Sequence, residues 1–330
     1  MKTRKSLIAL ALSAALTLSF VGCGSSQGTS SSGNTSDQAA GTFTVGICQL
    51  TQHPSLDAAT KGFMDAIEEE MPGQVKFDLQ NASNDIPTCG VICSGFAASG
   101  VDLILANATP SLQAAASATT EIPILGTAVT EYGVALDLEN FDGVVGGNIS
   151  GTCDLAPLDQ QAAMIPELLP DAKTVGILYS SGEANSVYQA KVVQEELEKA
   201  GLTVNVYTFA DSNDVVGVTA TASDENDALY IPTDNTAASC AETIHNAVGQ
   251  NNVPIITGDA DTCQGCGVAS FCIDYYELGR TTGKMAVRVL KGEDISQMPV
   301  EYYANPVKMV NQPMADALNV AIPDDYTPFK

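Results

Sequence analysis

The chain has 330 residues, of which 45% are hydrophobic and 16% charged, a balance that excludes an intrinsically disordered polymer. Asp and Glu number 39 against 14 Lys and Arg, a formal net charge of -25. So acidic a surface repels phosphate backbones, which excludes nucleic acid as a partner.

At the start, Lys2, Arg4 and Lys5 precede an apolar run from Ser6 to Val21. That run is shorter than the ~20 residues a membrane span needs, but it suits a signal peptide. It ends in Phe20-Val21-Gly22-Cys23, which resembles a bacterial lipobox. Residues 1–22 are therefore predicted to be a lipoprotein signal peptide. Cys23 is the predicted lipidation site, placing the protein on the extracytoplasmic face of the cell membrane. Residues 23–42, rich in Gly, Ser and Thr, read as a flexible tether with a reach of about 25 Å.

From Thr42 onward, short β-rich apolar runs alternate with amphipathic stretches, the pattern of βαβ units around a parallel sheet. The length predicts two domains, and an internal duplication supports them. Thr44-Val45-Gly46-Ile47 recurs as Thr174-Val175-Gly176-Ile177, and helical stretches Ser55 to Glu70 and Ala184 to Ala200 follow. Asp102-Leu103-Ile104-Leu105 is echoed by Asp227-Ala228-Leu229-Tyr230, and Ile122-Pro123-Ile124-Leu125 by Val253-Pro254-Ile255-Ile256. The fold class expected is α/β, with two similar Rossmann-like lobes joined by a hinge and a ligand cleft between them. Lobe one is expected over 43–150 plus about 262–300, and lobe two over 151–261 plus about 301–330. Ligands sit outside the carboxyl ends of parallel strands. That rule selects Gln49–Ser55, Ala106–Ser111 and Thr127–Glu131 in lobe one, and Ser180–Ser186, Thr233–Thr236 and Gly258–Asp261 in lobe two.

These loops carry Gln52-His53-Pro54-Ser55-Leu56-Asp57-Ala58-Ala59, Ala108-Thr109-Pro110, Ser181-Gly182-Glu183-Ala184-Asn185-Ser186 and Ile231-Pro232-Thr233-Asp234-Asn235. With Asn81-Ala82 and Asp274-Tyr275-Tyr276-Glu277-Leu278-Gly279, the sequence resembles the ABC-transporter substrate-binding lipoproteins of the tryptophan/tyrosine-binding type, within the periplasmic-binding-protein type I fold. The resemblance covers essentially everything after the tether and departs between Asp259 and Ser270. It implies a monomeric binding protein, not an enzyme, without cofactor or metal. Such a protein captures a small ligand, an aromatic or other hydrophobic amino acid, by lobe closure and delivers it to an ABC permease in the membrane.

An amino acid needs donors for its carboxylate, acceptors for its ammonium and a pocket for its side chain. Thr109-Pro110-Ser111 reads as a helix start, with Thr109 as N-cap and Pro110 in the first helical position. Its free N–H groups and the Ser111 hydroxyl could hold a carboxylate, or it could be an ordinary capped helix. Ser181, Asn185 and Ser186 offer a second donor set, or a plain polar loop. Asp234, beside Asn235, is either a helix cap or the ammonium acceptor, and the resemblance favours the ligand. Asp259 and Glu131 are weaker candidates for the same role, and Gln49 and Thr130 lie in the selected loops. His53 is placed for the ligand side chain; no hydrolase, metalloprotease, phosphate-loop or dinucleotide motif accompanies it.

Of nine cysteines, Cys89 and Cys93 form an apolar helix stripe with Phe96. Cys263-Gln264-Gly265-Cys266 is the only CxxC and has no second pair at zinc-site spacing. Two alternatives to transport remain: an exported redox or metal-binding protein using Cys263 and Cys266, and a ligand sensor for a membrane receptor. The redox alternative requires both thiols exposed with lowered pKa.

Overall fold

A computed structural model describes residues 42–329 of the chain. The expected signal peptide, Cys23 and nearly all of the tether lie outside them. Among the described residues no helix is long and apolar enough to cross a membrane.

The strands are β1 (Phe43–Gln49), β2 (Val75–Asn81), β3 (Leu103–Asn107), β4 (Ile124–Val129) and β5 (Ile149–Cys153), followed by β6 (Thr174–Ser180), β7 (Thr203–Phe209), β8 (Ala228–Ile231), β9 (Ile255–Thr257) and β10 (Ala269–Cys272). Three short ones close the chain: β11 (Glu301–Tyr302), β12 (Val307–Val310) and β13 (Thr327–Pro328). They form two sheets, ordered β11-β5-β4-β3-β1-β2 and β13-β12-β10-β9-β8-β6-β7. Read from the strand beside each opening strand, both follow the same doubly wound order. The duplicated Thr-Val-Gly-Ile segments occupy equivalent places, since β1 pairs with β2 and β3 as β6 pairs with β7 and β8, all parallel. β10 and β12 run antiparallel.

Parallel sheets covered by helices on both faces bury their central strands, and every residue of β3, β4, β5 and β8 is buried. Period-two alternation sorts the side chains to opposite faces. Ile104 and Ala106 join Phe96 and Leu112 on one face, while Leu103 and Leu105 join Phe63, Ile67 and Met285 on the other.

Sheet membership corrects the expected lobe boundaries. β5 extends the first sheet to Cys153, β10 pairs with β9 in the second sheet, and β11 pairs with β5 in the first. The chain therefore crosses between sheets after Cys153, Cys272 and Tyr302: the first and third crossings fall close to the expected 150 and 300, and the second comes about ten residues after the expected 262. The helix after the second crossing, Tyr275–Leu290, packs on the first-lobe helix Pro54–Glu70.

Candidate ligand-binding site

Where the carboxyl ends of the two sheets face each other lies a small cavity, whose free space is about that of one water molecule. Its wall is built from residues just beyond β1, β4 and β5 of the first sheet and β6, β8, β9 and β10 of the second. Six expected residues are on it: His53, Thr130, Asn185, Asp234, Asn235 and Asp259. Ser55, Leu56, Ala128, Asp154, Thr233, Ala238 and Tyr275 complete it; none was named as a site residue from the sequence, although Ser55, Ala128 and Thr233 lie in the selected loops.

The remaining expected residues are engaged elsewhere. Gln49 donates to Thr51 O and Asp57 Oδ1 and accepts from the Thr60 hydroxyl. Glu131 caps the short helix Tyr132–Ala135 by accepting from Gly133 and Val134. Ser181 is exposed and donates to Phe209 O. Ser186 is buried, its hydroxyl accepting from Asn185 Nδ2 at 3.2 Å. The helix at Thr109 begins one residue earlier than expected: its N-cap is Ala108, at φ 92°, ψ 158°, with Pro110 second in the helix Thr109–Ala118. At 100° per residue, that one-step shift turns Ser111 into the core, where its hydroxyl sits 3.7 Å from the thiols of Cys48 and Cys89. Because Ala108 has no capping side chain, the first-turn N–H groups have no side-chain cap, and the buried Thr109 hydroxyl has no partner.

Three carboxylates and one imidazole are on the wall, with no Lys or Arg. Asp234 is the N-cap of helix Asn235–Ser239: Oδ1 accepts from Ala237 N at 2.8 Å and Oδ2 from Ser180 N at 2.7 Å. Burial, reinforced by nearby Glu183, raises its pKa. Asp259 caps the helix Ala260–Cys266 through Thr262 N and its hydroxyl, and burial pushes it up to about 6. Asp154 differs. Its Oδ2 accepts from the Tyr275 hydroxyl at 2.9 Å, while buried Oδ1 has no partner. Burial raises this pKa too, and the orphaned oxygen is an acceptor awaiting a donor.

Buried Glu183 also supports the wall, taking the N–H groups of Asn235 and Thr236, Asn235 Nδ2 and the Thr236 hydroxyl at 2.6–3.1 Å. That frees the Asn235 side-chain oxygen for His53 Nε2 at 3.3 Å. Asn185 donates to Thr233 O and keeps its own oxygen unpartnered. Ala128 on the wall adopts a positive φ without being glycine, as does Ala108.

Ser55, His53 and Asp261 gather the residue types of a hydrolytic triad, but Ser55 donates to Asp261 and not to His53, so no nucleophile–base pair forms. The redox alternative meets a plain obstacle. Cys263 and Cys266 are both buried, and burial pushes both thiols up rather than down. Among the described residues no cluster of His, Cys, Asp or Glu could hold a metal.

Two doubly wound sheets meeting over a polar cavity are the architecture of a two-lobe ligand-binding protein. The model of a family described as "ABC transporter substrate binding protein" matches residues 44–327, and the chain belongs to that family. The family is one of binding proteins, not enzymes. A tyrosine-binding protein from Clostridioides difficile (strain R20291) is 34% identical over 324 residues, 96% of this chain and 93% of the relative. Among solved structures, the ABC domain in complex with L-Trp from Streptococcus pneumonia is 35% identical, with a TM-score of 0.82 over 86% of this chain and 96% of that one. The ligand-free, open structure of a substrate-binding protein with adhesive properties from Clostridium difficile is 36% identical, with a TM-score of 0.66 over 87% and 99%. At nearly equal identity the overlap is poorer with the open form, as expected of a chain whose two lobes are drawn together.

Proposed function

We propose that this chain captures an aromatic amino acid between its lobes and delivers it to an ABC importer, working as a monomer held to the extracytoplasmic face by a lipid on Cys23. The observation that carries the ligand class is Asp154. A buried carboxylate with one unpartnered oxygen, on a wall without Lys or Arg, is an acceptor for an ammonium group. The ligand carboxylate is then left to donors on the wall itself, the Thr130 hydroxyl and His53 among them. Leu56, Ala128, Ala238 and Tyr275 supply apolar surface for the side chain. His53, Thr130, Asn185 and Asn235 complete the contacts, while Asp234 and Asp259 hold the wall in shape. The tyrosine-binding relative and the neighbour bound to L-Trp support the choice of an aromatic side chain.

A thermal-shift panel of the twenty L-amino acids, with and without reductant, tests this. A ligand at 100 times its Kd stabilises by about 2.7 kcal/mol. Trp, Tyr or Phe should raise the melting temperature clearly, irrespective of thiol state. Stabilisation by sugars or anionic solutes, with none by aromatic amino acids, would overturn the reading.

A further inference from the structure

At one rim of the cavity the two lobes touch each other directly. Ser55, in the first turn of the helix Pro54–Glu70, donates both its backbone N–H and its hydroxyl to Asp261 Oδ2 of the opposite lobe. His53 Nδ1 stands 3.7 Å from the same carboxylate oxygen, and His53 Nε2 meets Asn235 of the opposite lobe. Further out, Asn84 Nδ2 donates to Thr236 Oγ1 at 3.0 Å. The Asp261 side chain is 15% exposed and the His53 side chain 6%, so the pair is largely withdrawn from screening water.

We propose that Asp261, with Ser55 and His53, is an interlobe latch: a cluster that favours the closed cleft whether or not ligand is bound, so that closure follows the charge of this cluster as well as ligand concentration. The inference rests on the reading of the protein as a cleft-closing receptor. The electrostatics favour it. The Ser55 N–H is a first-turn amide at the positive end of a 17-residue helix, an orphan donor unless something accepts from it. On its own lobe Asp261 sits two residues from Asp259, a like charge, and closure brings His53 to both. Asn235 also meets His53, and Asp154 and Asp234 line the same cavity, all neutral or acidic.

A sign follows. Burial works against the imidazolium, but Asp261, Asp259 and Asn235 outweigh it, and His53 titrates above its ordinary 6.5. Burial likewise works against the Asp261 carboxylate, but His53 and Ser55 outweigh it and hold it below its ordinary 3.8. The His53 contribution is fully present below pH 6.5 and is lost as pH rises through the raised pKa. The Asp261 contribution is present above 3.8 and is lost as pH falls through the lowered one. Closure is therefore favoured in mild acid.

The test uses ligand-free protein, wild type and Asp261→Asn, in small-angle scattering at pH 6 and pH 9, with NMR titration of His53, one of two histidines in the chain. Wild type should be more compact at pH 6 than at pH 9. Asp261→Asn should have the larger radius at both, with its His53 pKa returned toward 6.5. The Kd for L-tryptophan should rise about 10-fold in the variant at pH 6 and less than about 3-fold at pH 9. Should Asp261→Asn disturb the fold, His53→Gln serves, and its radius should not change between the two pH values. Equal radii in wild type and variant, with an unchanged His53 pKa, would overturn the latch even if L-tryptophan binds. Failure of L-tryptophan to bind a wild type that scatters as expected would instead remove the ligand assignment and leave the latch standing.

Discussion

Asp154 and Asp234 share one cavity wall, and their hydrogen bonds assign them different work. Both oxygens of Asp234 already accept from backbone N–H groups, which makes this side chain a brace between β6 and the helix after β8, whereas Asp154 keeps one oxygen without any partner. Asp234→Asn keeps one acceptor but turns an NH2 toward a backbone donor. The unpaired buried group should cost about 1–3 kcal/mol of stability, read by urea unfolding, with a change in ligand Kd below about threefold. A tenfold loss of binding at unchanged stability would return Asp234 to the ligand. The sequence already offered capping as one of two roles for Asp234, but nothing in it marked Asp154. The strand before Asp154, Ile149-Ser150-Gly151-Thr152-Cys153, is small and polar, with Gly151 at φ 146°, so it lacks the apolar run that flags a strand end. Ser111 went astray for a comparable local reason: no pattern announces that Ala108 will take a positive φ and shift the helix start.

Among the elements, the junction of helices Pro54–Glu70 and Tyr275–Leu290 carries the tightest packing. A Cβ on Gly279 would lie 2.0 Å from Ala59 O, and one on Gly62 would lie 2.1 Å from Tyr276 O. The two backbones touch, and this contact fixes the helix that follows the second crossing against lobe one. Gly279→Ala should cost about 1–3 kcal/mol or more as the helices are forced apart, measured by denaturant unfolding; a neutral outcome would mean that the helices can separate freely. Most of the element order was legible, because duplicated runs such as Thr44-Val45-Gly46-Ile47 and Thr174-Val175-Gly176-Ile177 have local signatures. The second crossing was not. Whether Ala269–Cys272 joins the first or second sheet depends on its pairing with β9 and with β12, the latter distant in sequence, and β11 has only two residues.

At the scale of the molecule, a chain of formal net charge -25 builds a cavity whose only basic side chain is His53. Such a site suits a ligand that brings its own ammonium and disfavours anions. Three crossings between the sheets form the hinge, and differential contacts in the closed state set how far ligand shifts it. In the proposed reading, ligand capture turns on one bond, from the ligand ammonium to Asp154. Because the chain contains no Trp, L-tryptophan and its deaminated analogue indole-3-propionate can be titrated by their own fluorescence against wild type and Asp154→Asn. Loss of a charge-assisted hydrogen bond, roughly 1.5–3 kcal/mol, should weaken L-tryptophan about 10- to 150-fold in the variant. Indole-3-propionate should bind wild type weakly and change less than about twofold on substitution. Full L-tryptophan affinity in a correctly folded Asp154→Asn, or equal affinity of wild type for the two ligands, would contradict the account.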